Sequence, residues 1–258
     1  ISWNGRQSVL FDLPARKFHI FALTLWPQDF IYLSWLLIIA ALSLFFFTAV
    51  GGRLWCGYAC PQTVWTEAFV WMERLTEGRR GARISLDRGP WTAQKILRKS
   101  AKQTLWIAFA LWTGFTFVGY FTPMRALAAQ TLALGLGPWE WFWMLFYGFA
   151  TYGNAGYLRE QVCKYMCPYA RFQSAMFDRD TLIITYDEKR GEPRGPRRRG
   201  SDPRAQGLGD CVDCRMCVQA CPTGIDIREG LQIECIACAA CIDACDTVMD
   251  RVGYPRGL

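Results

Sequence analysis

Eight cysteines near the C-terminus constrain this chain more than any other feature of its sequence. They form two sets with the same spacing, Cys-x-x-Cys-x-x-Cys-x-x-x-Cys. This spacing is typical of bacterial ferredoxins that hold two [4Fe–4S] clusters, in which the fourth cysteine of each set ligates the other cluster. We therefore assign cluster 1 to the first three cysteines of the first set and the last of the second, and cluster 2 to the remainder. The cluster 1 ligands are Cys211, Cys214, Cys217 and Cys245, and the cluster 2 ligands are Cys235, Cys238, Cys241 and Cys221.

Two other kinds of site use paired cysteines. Zinc sites usually separate two Cys-x-x-Cys pairs by a longer stretch, and disulfide frameworks need an oxidising compartment. A duplicated ferredoxin spacing favours neither. One departure from the ferredoxin pattern is visible, because Asp246 stands where a second proline is expected after the last cysteine of the run. That proline shapes a turn and is not a ligand, so two clusters remain the prediction.

Long uncharged stretches predict that the chain crosses a membrane. Phe30–Val50 and Thr104–Thr122 contain no charge, and Trp139–Leu158 contains only Glu140. About 20 apolar helical residues span a bilayer core. We therefore predict a mainly α membrane protein with about three transmembrane helices, plus a small α+β ferredoxin domain that holds both clusters. Glycines in the third span would permit close helix packing: Gly148, Gly153 and Gly156. The alternative is three buried helices of a soluble core.

Basic residues predict the orientation. The segment from Gly78 to Gln103 has eight Lys or Arg residues, and basic residues also follow Leu158. Cytoplasmic loops carry an excess of Lys and Arg. We therefore expect a multi-pass protein of the bacterial inner membrane whose ferredoxin domain is cytoplasmic.

A repeated Cys-x-Tyr-x-Cys-Pro unit forms the second candidate site. The first unit runs from Cys56 through Cys60 to Pro61, and the second runs from Cys163 through Cys167 to Pro168. Proline is tolerated at the first position of a helix, so we predict helices over Pro61–Glu77 and Pro168–Phe177, the first of them interfacial. Cys60 and Cys167 then occupy N-cap positions, where the helix dipole favours thiolate.

Three interpretations of these four cysteines stay open. They converge on one metal, they form redox-active pairs, or they are inert buried cysteines. Copper suits them because thiolate and thioether ligands select Cu(I), and Met166 supplies a thioether beside the second unit. Iron–sulfur and zinc are not excluded.

A basic tract, Lys189–Gly207, is rich in Pro, Gly and Arg and has almost no apolar residue, so we predict a flexible linker. Nucleic-acid binding is less favoured because no stacking aromatics are interleaved. Thr181–Tyr186 resembles a short strand. The predicted organisation is an extracytoplasmic segment (1–26), a first span with its cysteine unit (27–60), an interfacial helix and basic loop (61–103), a second span (104–122), an extracytoplasmic loop (123–138), a third span with its cysteine unit (139–168), a helix, strand and linker (169–206), a ferredoxin domain (207–250) and a tail (251–258).

Three stretches together carry a family resemblance: GRLWCGYACPQTVW, EQVCKYMCPYARFQ and DCVDCRMCVQACPTGIDIREGLQIECIACAACIDACD. With them the chain resembles the CcoG/FixG/RdxA family of membrane-bound ferredoxins that assist assembly of the cbb-type haem–copper oxidase. The resemblance implies a Cu(II) reductase whose membrane-side redox or copper site is the four-cysteine group of Cys56, Cys60, Cys163 and Cys167. It also implies an earlier membrane helix and a C-terminal immunoglobulin-like domain. Since neither is found here and the chain has no initiator Met, we expect a fragment of a longer protein.

The leading functional hypothesis is an oxidoreductase that passes single electrons from the clusters to Cu(II). A quinol-linked membrane ferredoxin of the periplasmic nitrate reductase type is the first alternative, and a non-enzymatic copper chaperone or assembly scaffold is the second. The expected partners are the membrane, an unknown cytoplasmic electron donor, and copper-trafficking or oxidase assembly proteins. We expect no nucleic acid, and a homo-oligomer is left open.

Overall fold

The protein is described by a computed structural model that covers residues 2–3, 5–197 and 207–258, without the side chain of Ser174. The described residues are mostly helical and divide into two compact units. The first unit combines the chain up to Ser43 with Val64–Leu158, and the second combines Leu44–Thr63 with Arg159–Leu258.

The N-terminal segment of the first unit contains strands that the sequence analysis missed. Two short strands pair antiparallel, and three more form an antiparallel sheet in the order β3-β4-β5, with Leu10 opposite His19. These strands are too short for a clear alternation of apolar and polar residues. Their bounds are β1 Ser2–Trp3, β2 Arg6–Gln7, β3 Val9–Asp12, β4 Lys17–Ile20 and β5 Leu23–Leu25.

The first predicted span is a helix with an exposed apolar surface. After a 3-10 turn at Pro27–Asp29, α1 covers Phe30–Gly51. Among the described helices, the stretch Pro27–Gly51 is the one whose length and composition allow it to cross a membrane. Apolar side chains along α1 such as Ile38 and Leu42 are exposed, as lipid contact requires. The other two predicted spans stay predictions.

Five helices and one π-helical segment complete the first unit. Helix α2 begins and ends where the sequence predicted. The element bounds are α2 Pro61–Glu77 (its first three residues belong to the second unit), α3 Arg80–Arg88, α4 Ala93–Val118, α5 Met124–Leu132, α6 Pro138–Thr151 and a π-helical segment at Tyr152–Leu158.

Helices α4 and α6 pack closely because small residues stand where their backbones meet. A Cβ atom on Gly114 would collide with the backbone carbonyl of Met144, and one on Gly148 would lie 3.4 Å from the carbonyl of Ala110. Gly156 likewise lies against Trp106, whereas no atom lies within 4 Å of the Cβ position of Gly153. The close-packing prediction is therefore confirmed for Gly148 and Gly156 and wrong for Gly153.

The predicted basic loop of the first unit is mostly helical, since α3 and the start of α4 occupy it. Three of its cations have carboxylate partners on α2. Glu77 is buried and forms ion pairs with Lys99 at 3.1 Å and with Lys102 at 3.0 Å, and Glu73 pairs with Arg83. Burying a carboxylate is costly unless it is paired, so these contacts favour helix over loop.

Among the described residues, the second unit contains the end of α1 and four further short or medium helices joined by irregular segments. The further helices are α7 Pro168–Ser174, α8 Glu188–Gly191, α9 Met216–Ala220 and α10 Ala240–Val252, with π-helical turns at Trp55–Ala59 and Val162–Met166 and a 3-10 turn at Ile227–Glu229. Helix α7 begins at Pro168 as predicted and ends three residues early. Residues 207–258 contain no strand, so the expected β part of the ferredoxin domain is wrong. The cysteine-bearing turns occupy much of this region instead.

One further expectation for the second unit is also wrong. The segment 181–186 forms no strand, because the backbone N–H of Leu182 donates to Val50 O (3.1 Å) and the Thr181 hydroxyl donates to Ala49 O (2.8 Å). It thus satisfies carbonyls at the end of α1, which lack helical partners. Within the predicted linker Arg190 pairs with Asp210 at 2.7 Å, and the flexibility of the linker stays a prediction. The predicted linker residues 198–206 lie outside the described residues.

Candidate functional site

The two ferredoxin cysteine sets fold into two copies of the same loop. In each copy, two residues other than glycine adopt a left-handed backbone conformation at equivalent positions, and a helix (α9 or α10) follows at once. The residues are Asp213 and Arg215 in the first loop and Ala237 and Ala239 in the second. Such conformations cost about 1–3 kcal/mol each and cluster at ligand-binding sites. The repeated strain therefore marks both loops as binding loops.

Backbone N–H groups of the second loop point at its sulfur atoms. The N–H of Ala237 donates to Cys235 and that of Ala240 donates to Cys238, and each bond lowers the pKa of its thiol against the larger raising effect of burial. Hydrogen bonds from N–H groups favour the thiolate. Since the thiolate is the form that ligates metals, the loop is shaped to hold thiolate ligands.

The structure brings the eight cysteines together in the crossed arrangement. Burial raises the pKa of the Cys245 thiol to about 11, and three neighbouring thiols raise it further: those of Cys217, Cys211 and Cys214. Burial likewise raises the pKa of Cys241 to about 11, with a further rise from Cys235, Cys238 and Cys221. The last cysteine of each set thus lies among the first three of the other.

Two cavities lie at these groups. One of about 540 Å³ is lined by all four predicted ligands of cluster 1, and a second, smaller cavity is lined by all four predicted ligands of cluster 2. Cys217 and Cys241 line both cavities, so the two sites are adjacent. Four mutually repelling thiolates in a largely apolar cavity need a cationic partner, and soft thiolate donors suit iron–sulfur clusters. The residues present therefore fit two such clusters.

The two Cys-x-Tyr-x-Cys-Pro units also share one geometry. In each, the first cysteine lies in a five-residue π-helical turn, and the second follows it in extended backbone, directly before a helix that begins with proline. The N–H of Cys60 donates to Trp55 O and that of Cys167 donates to Val162 O, both at 2.8 Å. Single π-helical turns occur frequently at functional sites. The sequence repeat is therefore a structural repeat.

Polar contacts join the two Cys-x-Tyr-x-Cys-Pro units into one four-cysteine site, and both of these units lie in the second compact unit of the fold. The Cys56 thiol donates to the Gln173 side-chain carbonyl at 3.1 Å, and Gln173 is fully buried on the helix that follows the second unit. The Gln62 amide donates to the backbone carbonyl of Arg159 at 3.3 Å. Burial raises the pKa of Cys56 to about 11, with further contributions from Cys60, Cys167 and Cys163.

The four-cysteine site does not have the geometry of a single-ion site. Among the described residues, no group of three or more His, Cys, Asp or Glu side chains converges closely enough to hold one metal ion. This holds for the four-cysteine site and equally for the two ferredoxin groups. The predicted copper role of these cysteines stays a prediction.

Arg53 connects the four-cysteine site with the loop of cluster 2. Its buried guanidinium donates to the carbonyl of Ala170 at 2.5 Å, to that of Cys235 at 3.0 Å and to that of Ile233. Arg53 is not among the site residues that the sequence predicted. Its partners are carbonyls far away in sequence, which no local pattern reports.

The backbone of the first cysteine unit also touches the loop of cluster 2. A Cβ on Gly57 would lie 2.9 Å from Ile236 O and 3.1 Å from Ala237 O, and the Tyr58 hydroxyl donates to Cys238 O at 3.4 Å. Gly57 therefore has to be glycine for the turn to approach this closely. Gln173 is a further site residue that the sequence analysis missed. The pattern that could have identified it is a polar residue on α7, the helix that directly follows the second Cys-x-Tyr-x-Cys-Pro unit.

Comparison with known proteins agrees with these cysteine groups. A family described as "4Fe-4S dicluster domain" matches residues 158–258, and one described as "4Fe-4S binding domain" matches residues 33–81. Nitrogen fixation protein FixG of Rhizobium meliloti is 47% identical over 252 residues, which is 98% of this chain and 48% of the relative. Proteins RdxA and RdxB of Cereibacter sphaeroides are 47% and 48% identical over 98% of this chain and over 52% and 53% of their own lengths.

This chain belongs to the FixG/RdxA family. It spans about half the length of the FixG and RdxA relatives that it matches. No solved structure matches it. The two matched domains support iron–sulfur clusters in this chain, and its candidate membrane helix is compatible with a membrane protein.

Proposed function

We propose that this FixG/RdxA-family chain is the electron-transferring part of a membrane protein that reduces Cu(II) to Cu(I) for assembly of a cbb-type haem–copper oxidase. The observation that carries the proposal is the direct contact between the first cysteine unit and the loop of cluster 2. Arg53 and Gly57 both touch that loop at hydrogen-bond or van der Waals distance. An electron that reaches this loop is therefore next to the four-cysteine site.

The cysteine positions determine which group neighbours the four-cysteine site. Cys217 and Cys241 line both cavities and so keep the two ferredoxin groups adjacent. The described contacts of the first unit reach Ile233, Cys235 and Cys238. Clusters bound at these two groups would supply one-electron transfer, and the loop of the cluster 2 ligands would lie next to the four-cysteine site.

Cu(II) is the proposed substrate because the resemblance to the CcoG/FixG/RdxA family implies a Cu(II) reductase. The step is balanced by one electron: Cu(II) gains it and becomes Cu(I), the chain loses it, and no bond or proton is transferred. The chain contributes the contact between the first cysteine unit and the loop of cluster 2, and a fixed positive charge at Arg53.

A single-turnover experiment tests the proposal. The chain is purified anaerobically in detergent, reduced with dithionite, desalted and mixed with Cu(II). Cu(I) is measured with a colorimetric chelator, and cluster oxidation by paramagnetic resonance. We expect one Cu(I) for each electron that the clusters lose. Quinol that reduces the clusters, with no electron passing to Cu(II), would favour the quinol-linked carrier instead.

The double variant Cys60→Ser/Cys167→Ser tests the role of the four-cysteine site. We expect it to lose Cu(II) reduction while the paramagnetic signals of the two ferredoxin clusters persist. Normal Cu(II) reduction in this variant would contradict the role assigned to this site.

A further inference from the structure

The match of residues 33–81 to a 4Fe-4S binding domain leaves a shortage of ligands. That segment contains only two cysteines, Cys56 and Cys60. A [4Fe–4S] cluster is held by four thiolates. Two further donors must therefore come from outside the matched segment.

The structure supplies two such donors. Cys163 and Cys167 repeat the backbone geometry of the first pair, and the two units are joined through Cys56 and Gln173 and through Gln62 and Arg159. Each pair alone is half of a ligand set. Together they form a set of four in which each copy of the internal repeat supplies two cysteines. The ferredoxin region is likewise built from two copies of one cysteine spacing.

We propose that Cys56, Cys60, Cys163 and Cys167 together hold a third [4Fe–4S] cluster. The site shares three properties with the ferredoxin groups: four neighbouring sulfur donors, a tight turn that carries one or more of them, and half-buried thiols.

The spacing of the thiols distinguishes a cluster from a single copper or zinc ion. With metal–sulfur bonds of about 2.3 Å, thiolates on one ion stand about 4 Å apart. A cluster spreads its four thiolates over separate iron atoms, so they stand farther apart. Among the described residues, neither the four-cysteine site nor the ferredoxin groups converge closely enough to hold one metal ion.

The charge of the surroundings also suits a cluster. A [4Fe–4S] core with four thiolates is an anion, and the buried guanidinium of Arg53 lies close enough to Cys56 and Cys163 to interact with their charges. The same guanidinium bonds the carbonyl of Cys235. One buried cation thus lies between the proposed cluster and cluster 2 and interacts favourably with both.

This inference rests on the proposed function for its meaning, since the third cluster would lie at the site proposed for Cu(II) reduction. Its test needs no copper. Iron and sulfide are counted in the anaerobically purified chain, and we expect about twelve of each per chain, against about eight for two clusters. About eight iron atoms, with or without a bound copper or zinc ion, would overturn the proposal.

Variants show whether both cysteine pairs are needed. Cys56→Ser/Cys60→Ser and Cys163→Ser/Cys167→Ser should each lose about four iron atoms and the same paramagnetic signal, because either pair alone is insufficient. Cys211→Ser/Cys245→Ser should lose a different signal. A pair variant that keeps the full iron count would refute the ligand set. Should the pair variants fail to fold, the iron count of the unaltered chain still decides.

Discussion

Replacing Arg53 with Gln should lower the reduction potential of cluster 2. Arg53 is 2% exposed and donates to the carbonyl of Cys235, a predicted ligand of that cluster. Reduction adds a negative charge to the cluster, and the guanidinium stabilises that charge. Gln keeps some hydrogen-bonding capacity but removes the cation, so the reduced form loses more stabilisation than the oxidised form.

The size of the shift follows from the contact. For a separation of roughly 8 Å, unit charges interact by about 2 kcal/mol at an effective dielectric constant of about 20. For a one-electron couple, a tenfold change in equilibrium constant corresponds to about 59 mV, so the expected decrease is roughly 90 mV. The conservative Arg53→Lys keeps the charge and should shift the potential by less than half as much.

The assay is a redox titration followed by paramagnetic resonance. Cluster 1 is the internal control, because the described hydrogen bonds of Arg53 reach no residue of its loop. Arg53→Gln also leaves the carbonyls of Ile233, Cys235 and Ala170 without their donor, so iron is counted in parallel to exclude loss of the cluster. An unchanged cluster 2 potential in a fully loaded Arg53→Gln variant would refute the electrostatic reasoning.

Three further predictions concern packing, ion pairing and metal. Gly57→Ala should lower the iron content at cluster 2 or slow its electron transfer, because its Cβ would press on Ile236 O at 2.9 Å, whereas Gly153→Ala, with nothing within 4 Å, should leave iron count and kinetics unchanged. Glu77→Gln should lower the stability of the first unit by about 3 kcal/mol, because it breaks a buried pairing with Lys99 and Lys102. Asp87→Asn, which removes an exposed pair with Lys99, should cost less than about 1 kcal/mol. Denaturant unfolding in detergent measures both changes. Removing iron with a chelator and an oxidant should raise amide exchange in α9 and α10 but not in α4 or α6, because the strained loops before α9 and α10 are held by their metal; equal protection before and after removal would contradict this.

Local signals predicted the parts of the site that are local in sequence. The start of α2 at Pro61 and of α7 at Pro168 follows from the fixed backbone angle of proline and its missing N–H. The crossed grouping of the ferredoxin cysteines follows from their spacing, and the structure places Cys245 and Cys221 accordingly. In both cases a few adjacent residues carry the whole signal.

Contacts between distant segments could not be predicted in this way. Arg53 bonds carbonyls of residues 170, 233 and 235, and any residue presents the same carbonyl, so no side-chain pattern marks those partners. The segment 181–186 has the composition of a strand, but its hydrogen bonds go to the end of α1. The loop expected over Gly78–Gln103 became helical because buried Glu73 and Glu77 pair with its cations.

All twelve cysteines lie in the second unit, although the first and the last are far apart in sequence. The long apolar helices α4 and α6 lie in the first unit, which has its own core around Phe69 and Trp106. The redox groups and this helix core therefore lie in different units. We expect Glu77→Gln to destabilise the first unit while the iron count and cluster potentials stay unchanged. We expect Arg53→Gln to shift the potential of cluster 2 while the stability of the first unit stays unchanged. A change of cluster potential in Glu77→Gln would contradict this expectation.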